Sequence, residues 1–229
     1  MASFEKIYDR AAKRKGGAAA LEKLVADAKP KSKAALKKLG DDRYLAEMTK
    51  RIFQAGFVWR VVEQKWPDFE AAFQGFQPGR MALLSDEDLD VLGRDTRIIR
   101  HAAKIAAVRH NAIFVTDLAK EHGSAAAFFA DWPSEDIVSL WAVLKKRGAR
   151  LGGYTGPYFL RFMGKDSFLL SPDVSAALIK AKVVDKPPTG KADLAKAQAA
   201  FNAWKEETGR PLTQLSRILA CSIDAPRQK

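Results

Sequence analysis

Residues 140–174 read LWAVLKKRGARLGGYTGPYFLRFMGKDSFLLSPDV. A helical pattern ends in Lys145-Lys146-Arg147 and meets Gly148. Ala149-Arg150-Leu151-Gly152-Gly153 then turns the chain, and a second helix is expected to begin near Tyr154-Thr155. This is the order of a helix–hairpin–helix. Glycine lets the main chain approach a phosphate closely, because no Cβ intrudes. The N–H groups that open the second helix then face the anion with the favourable end of the helix dipole. Cations on the preceding helix add attraction that does not depend on base sequence. Two adjacent glycines alone would fit an ordinary corner between helices. The basic residues Lys145, Lys146, Arg147, Arg150 and Arg161 move the reading toward phosphate binding.

The rest of the chain is consistent with such a partner. Lys and Arg number 39 against 27 Asp and Glu, a net charge of +12, which makes a polyanion a natural ligand. Periodicity is helical almost throughout, and no alternating β-branched run is long enough for a sheet. Helices are expected over 3–14, 17–28, 32–39, 42–64, 67–74, 85–92, 97–121, 124–130, 135–147, 155–163, 172–181, 191–207 and 211–221. Ser85 before Asp86-Glu87-Asp88 reads as a helix start, with acids against the dipole.

Composition divides the chain into a basic N-terminal helical extension (1–41), a helical core (42–181), and a linker with C-terminal helices packed on that core (182–229). The extension reads as two short surface helices, or as a basic arm that touches phosphates. The Pro187-Pro188-Thr189-Gly190 break marks the linker. No apolar run approaches the ~18 residues of a membrane span. The charged N-terminus lacks a secretory apolar segment, so cytoplasmic residence is expected; the protein is also expected to be a monomer. Cys221 is the single cysteine, which excludes an internal disulfide and a thiolate-rich zinc site. No cofactor or metal is expected.

Three ordered blocks carry a family likeness. They are Gln54-Ala55-Gly56-Phe57-Val58-Trp59, Ile98-Ile99-Arg100-His101-Ala102-Ala103-Lys104-Ile105 with Asn111-Ala112 after it, and Leu144-Lys145-Lys146-Arg147-Gly148 with the hairpin. In order and spacing this pattern resembles the 3-methyladenine DNA glycosylase I family of the helix–hairpin–helix DNA glycosylase superfamily. The resemblance implies an all-α fold of two helical lobes with a cleft between them. It also implies that the hairpin holds the duplex backbone through Lys145, Lys146, Arg147, Gly148, Arg150, Gly152 and Gly153. A damaged nucleotide is flipped into the cleft and its base is held among aromatic side chains. On this reading Arg51, Phe53, Gln54, Trp59 and Tyr154 line the base pocket, with Trp59 the foremost of them. Tyr154 could instead pack beneath the hairpin.

The departures from the family pattern are specific. Arg51 stands where the family has a glutamate that contacts the flipped base, and a guanidinium cannot accept a hydrogen bond. The family's zinc ligands are missing: the N-terminus holds neither Cys nor His, and the C-terminal pair falls at about Val174 and Leu178. Tyr154 lies where bifunctional relatives carry a Schiff-base lysine, so strand cleavage by an amine is not expected. Asp173 lies about twenty residues beyond the hairpin, where many relatives in the superfamily carry the catalytic aspartate. It is either that aspartate, steadying an oxocarbenium ion, or a helix N-cap after Pro172. Asp166 reads as a turn or cap residue. The expected function is monofunctional removal of an alkylated or otherwise damaged base from double-stranded DNA. A non-catalytic DNA-binding or lesion-recognition module is the alternative, favoured by Arg51.

Overall fold

In a computed structural model the described residues are 3–223, and they form helices with no strand among them. In chain order these are α1 (Phe4–Lys15), α2 (Ala18–Val25), α3 (Lys33–Lys37), α4 (Asp41–Gln54), α5 (Trp59–Gln64), α6 (Trp66–Ala72), α7 (Pro78–Ala82) and α8 (Asp86–Arg94). Then follow α9 (Ala102–His122), α10 (Ala125–Asp131), α11 (Ile137–Arg147), α12 (Thr155–Met163), α13 (Pro172–Lys180), α14 (Lys191–Thr208) and α15 (Leu212–Cys221). Two compact units emerge. One takes residues 1–31, 133–139 and 166–229, and the other takes 32–132 and 140–165. The partition therefore joins the two ends of the chain rather than following the three consecutive segments that composition suggests.

In the larger unit, α4 packs on α9 and α12, and α9 also packs on α7 and α10. Phe53, Phe69, Phe73 and Phe76 are fully buried, with Trp66 stacked on Phe69 and Phe76. Tyr44, Phe129 and Phe159 form a second buried aromatic group. Each such ring removed from water stabilises the fold by about 2–3 kcal/mol. Asp41 opens α4, and its carboxylate accepts from the N–H groups of Ala125 and Ala126 at 3.1 and 2.9 Å. One acid thus satisfies two orphan donors at the start of α10, beside the Ser124 cap. Ser85 forms the expected start of α8, as a reciprocal capping box with Asp88.

Three of the expected helices depart from their bounds for reasons the side chains show. The run 42–64 is two helices, because α4 stops at Gln54 and α5 starts at Trp59. Gly56 turns the chain at φ +70°, and Lys104 donates to the carbonyls of Phe53 and Ala55 at 3.2 and 2.8 Å. Those carbonyls would otherwise be free to continue the helix. Apolar spacing resumes beyond the turn, so periodicity alone could not show the break. The run 97–121 begins only at Ala102. Upstream, Arg97 is bound by Asp95, and Lys65 donates to the carbonyls of Thr96 and Arg97. The run 67–74 ends at Ala72, and Gln74, Gly75 and Phe76 all take positive φ in a left-handed turn. The short α7 has no periodic signal.

In the smaller unit, α15 packs on α1, α13 and α14. Phe168 stacks on Phe201 with ring centroids 4.2 Å apart, and Phe201 and Phe4 both meet Trp204. Asp166 accepts from the N–H of Thr213 at 3.0 Å, so it caps α15 from 47 residues away. Ser171, not Asp173, caps α13 with its side chain, and Asp173 sits in the first turn.

Candidate nucleic-acid interface and base site

The hairpin is built by α11, a turn and α12. Gly148 has no room for a side chain: a Cβ there would lie 2.6 Å from Leu151 Cδ1 and 2.9 Å from the Leu144 carbonyl. A Cβ on Gly156 would lie 2.5 Å from the Leu151 carbonyl. These two glycines let the helices close on each other around the buried Leu144 and Leu151. Gly152 and Gly153 serve differently. A Cβ on Gly152 would make only an ordinary contact with Lys145, and Gly153 takes φ +59° with open space above it. Arg150 also adopts φ +59°, a left-handed conformation costing a residue with a Cβ about 1 kcal/mol.

The turn is tied down by a residue that the sequence reading placed in a motif without a role. Asn111, fully buried in α9, is paired through its side-chain amide with the backbone of Ala149. Tyr154, at the N-cap position of α12, offers no side-chain cap; the Thr155 N–H donates to the Gly152 carbonyl at 3.3 Å, and Pro157 has no N–H. Lys145, Lys146 and Arg150 are exposed and make no ion pair among the described residues. Arg147 differs. Its guanidinium is held by both carboxylate oxygens of Glu121, at 2.8 and 2.6 Å, and lies over the Phe114 ring. That pairing holds the Glu121 carboxyl below its ordinary range.

The expected base-side residues separate into two groups. Phe53 is not on the site side. It is fully buried, edge-on to Phe69 at 4.7 Å between centroids. It lies two residues from Arg51, about 200° around the helix, so the two cannot share a face. Gln54, three residues on from Arg51, does share it. Tyr154 does not pack beneath the hairpin, being 54% exposed at the turn. The aromatic surface is instead Trp59 with Tyr158 and Phe162, which are one helical turn apart on α12. Phe162 was legible only as an i+4 neighbour of Tyr158.

Arg51 lies against this surface. Its guanidinium carbon is 3.8 Å from the Phe162 ring centroid and 5.3 Å from that of Trp59. The residue is only 5% exposed. Burial pulls its pKa below the usual arginine value, while Glu47 and Glu63 act in the opposite direction. Arg51 Nε is 2.7 Å from Glu47 Oε1, an ion pair whose alignment falls short of a hydrogen bond. Arg51 Nη1 and Gln54 Oε1 are both sealed from water and meet no hydrogen-bond partner among the described residues. Gln54 Nε2 is turned toward Glu63 Oε1 at 3.5 Å, which leaves Oε1 as the free end of the amide.

Asp173 belongs to the smaller unit, in the partly exposed first turn of α13. Val174 and Leu178, at the positions of the family's C-terminal zinc ligands, are buried and apolar. The residues present do not fit a zinc ion: they offer it no donor atom, and α13 is instead packed on α15. No group of three or more His, Cys, Asp or Glu among the described residues is placed to hold a metal. No described helix is long and apolar enough to cross a membrane.

The model of the methyladenine glycosylase family matches residues 35–152. DNA-3-methyladenine glycosylase 1 of Escherichia coli (strain K12) is 41% identical over 59 residues, which are 26% of this chain and 32% of that protein. The DNA-3-methyladenine glycosylase of Haemophilus influenzae is 36% identical over 59 residues, with the same shares. The match thus spans about a third of the length of these curated relatives. The crystal structure of the 8-oxoguanine DNA glycosylase of Methanocaldococcus jannaschii superposes with a TM-score of 0.57. It covers 94% of this chain and 92% of that one at 14% identity, a likeness of fold.

Proposed function

We propose, because the chain belongs to the methyladenine glycosylase family, that it is a monofunctional DNA N-glycosylase, a cytoplasmic monomer that removes a damaged base from double-stranded DNA. The observation that carries this reading is the hairpin. Gly148 and Gly156 close the two helices, Asn111 fixes the turn, and Lys145, Lys146 and Arg150 stand exposed around the glycine-rich turn. That surface suits a phosphate approached by backbone N–H groups and flanked by cations. Trp59, Tyr158 and Phe162 supply ring faces for an extruded base. Asp173 is the proposed carboxylate that steadies the oxocarbenium ion and orients the attacking water. The curated relatives are named for 3-methyladenine, and an alkylated base of that kind is the first substrate to test.

The test is a panel of duplexes, each with one damaged base, scored for abasic sites. Release from at least one duplex, lost in Asp173→Asn with duplex affinity kept, supports the enzyme and its carboxylate. Release unchanged in Asp173→Asn removes that residue from the mechanism. Arg51 in place of an acid favours a second reading, a lesion-recognition module without chemistry. Salt-dependent binding of damaged duplexes with no abasic product would support it.

A further inference from the structure

Beyond the Arg51–Glu47 ion pair, the base side of the larger unit holds a buried donor and a buried acceptor that meet no hydrogen-bond partner among the described residues. Arg51 Nη1 is the donor, Gln54 Oε1 the acceptor, and both are on one face of α4. Neither side chain is more than 5% exposed. A buried polar atom left unpaired is costly, and such atoms gather where a ligand completes them. A donor and an acceptor three residues apart on one helix face offer the two groups that a lactam edge needs, for its ring carbonyl and its ring N–H. The guanidinium stays charged at any working pH. It already occupies the Phe162 face, where a cationic ring would seek its favourable quadrupole contact.

Resting on the glycosylase reading above, we infer that this site takes an uncharged base with a lactam edge and that Arg51 selects it, rejecting a cationic alkylated base. The selection has a chemical reason. A cationic base leaves as a neutral molecule and needs no help. A neutral base leaves with a negative charge. As the C1′–N bond breaks, its electron pair goes with the base and spreads onto the lactam oxygen, where Arg51 Nη1–H meets it. Gln54 Oε1 holds the adjacent N–H. Water closes the C1′ oxocarbenium ion, and the proton that water sheds ends on the departed base, so the sum is a hydrolysis. A donor aimed at developing charge stabilises the transition state more than the ground state. Trp59 and Phe162, the two rings lying on the guanidinium, are 39% and 48% exposed, so a base stacked on them lies on the Arg51 side of the site.

The experiment compares a duplex containing hypoxanthine, a neutral lactam purine, with one containing 3-methyladenine. Wild type is expected to release hypoxanthine at least about 10-fold faster. Arg51→Met should lower that release by about 100-fold, the usual loss for one such donor, with duplex affinity unchanged. If Arg51→Met does not fold, Arg51→Lys serves: it keeps the charge, loses the planar fork, and should release hypoxanthine about 10-fold more slowly. Faster release of 3-methyladenine by wild type overturns the inference and leaves the glycosylase reading intact. So does hypoxanthine release that is indifferent to Arg51. If no duplex yields an abasic site, the glycosylase reading falls alone. Tryptophan fluorescence with free hypoxanthine and with 3,9-dimethyladeninium then decides the site. Preference for hypoxanthine that Arg51→Met abolishes supports the inference, and its absence overturns it.

Discussion

Asn111 grips Ala149 by both backbone groups: its Oδ1 accepts from the Ala149 N–H at 2.8 Å, and its Nδ2 donates to the Ala149 carbonyl at 3.1 Å. The amide does for the turn what a neighbouring strand does for an extended segment. It satisfies both polar groups of one residue while α9 supplies the rigidity. Asn111→Leu removes both bonds from a fully buried position. We expect a loss of about 2–4 kcal/mol in chemical denaturation, from two stranded backbone groups. Duplex affinity, read by fluorescence anisotropy, should fall as well, because the N–H groups of the turn lose their fixed direction.

The glycines of the hairpin should separate into two classes. Gly148→Ala drives a Cβ to 2.9 Å from the Leu144 carbonyl, a backbone atom that cannot step aside. Overpacking of this kind costs about 1–3 kcal/mol, and thermal unfolding will register it. Gly152→Ala meets only Lys145 at 3.4 Å. Its melting temperature should stay within a few degrees of wild type while duplex affinity falls, since the added methyl group stands where a phosphate is proposed to approach. An equal loss of stability in both variants would end the distinction.

Charge at the hairpin yields a sharper contrast. Lys145, Lys146 and Arg150 are exposed, whereas Arg147 is clamped by Glu121. Plots of log affinity against log salt should become shallower by about 1 for alanine at each of the first three. Arg147→Ala should change the slope little, and should act through loss of its packing on Phe114 instead. Arg150→Gly carries a further signature. Relief of the left-handed conformation stabilises the fold by about 1 kcal/mol while DNA affinity drops. Stability and binding then move in opposite directions at one residue.

How much of this was legible beforehand depends on distance along the chain. The hairpin was readable because its glycines, cations and second helix lie within one short stretch, and α12 begins at Thr155 as the turn predicts. The all-α architecture followed from periodicity. The break at Gly56 was not readable, since it depends on Lys104, about fifty residues away, taking the last carbonyls of α4. For the same reason Asp166 reads as a turn or cap residue without showing which helix it caps, and that helix is α15, 47 residues on. Phe53 was misplaced by composition: an aromatic near Arg51 in sequence is on the opposite face in a helix. The consecutive three-part division could not foresee that residues 1–31 group with 166–229, because contact between chain ends leaves no trace in local composition.

Tyr44 gives the fold an alkaline limit. Its hydroxyl donates to the Leu36 carbonyl at 3.1 Å from a fully buried position, and burial, with Asp41 nearby, raises its pKa well above the ordinary 10.0. The unfolded chain loses this proton near pH 10 while the folded chain keeps it. Folded molecules therefore bind more protons above pH 10, and stability falls as pH rises. The slope from this one group is about 1.4 kcal/mol per pH unit. The contribution is fully present below pH 10. Denaturation midpoints between pH 9.5 and 11.5 should fall more steeply for wild type than for Tyr44→Phe, which cannot titrate. Parallel curves would assign the alkaline loss elsewhere.

Lys104 runs the other way. It is 6% exposed, and its ammonium donates to the carbonyls of Phe53 and Ala55. Burial, and then Arg150, pull its pKa below the ordinary 10.5. Between the lowered folded value and 10.5 the unfolded chain holds the extra proton, so this group's penalty is relieved as pH rises through that window. The two hydrogen bonds of its Nζ fix the end of α4. Lys104→Met matches the length but not the donors, stranding two carbonyls. We expect about 2–3 kcal/mol of destabilisation, a melting temperature lower by roughly 5–10 °C. The consequence for function is local. Without the clamp, α4 can run on past Gln54, and Phe57, Val58 and Trp59 lose their register against α12. Trp59 fluorescence should therefore shift in folded Lys104→Met, and the base-release defect should exceed what its lost stability explains. An unshifted spectrum with wild-type release would show that the turn at Gly56 holds without Lys104.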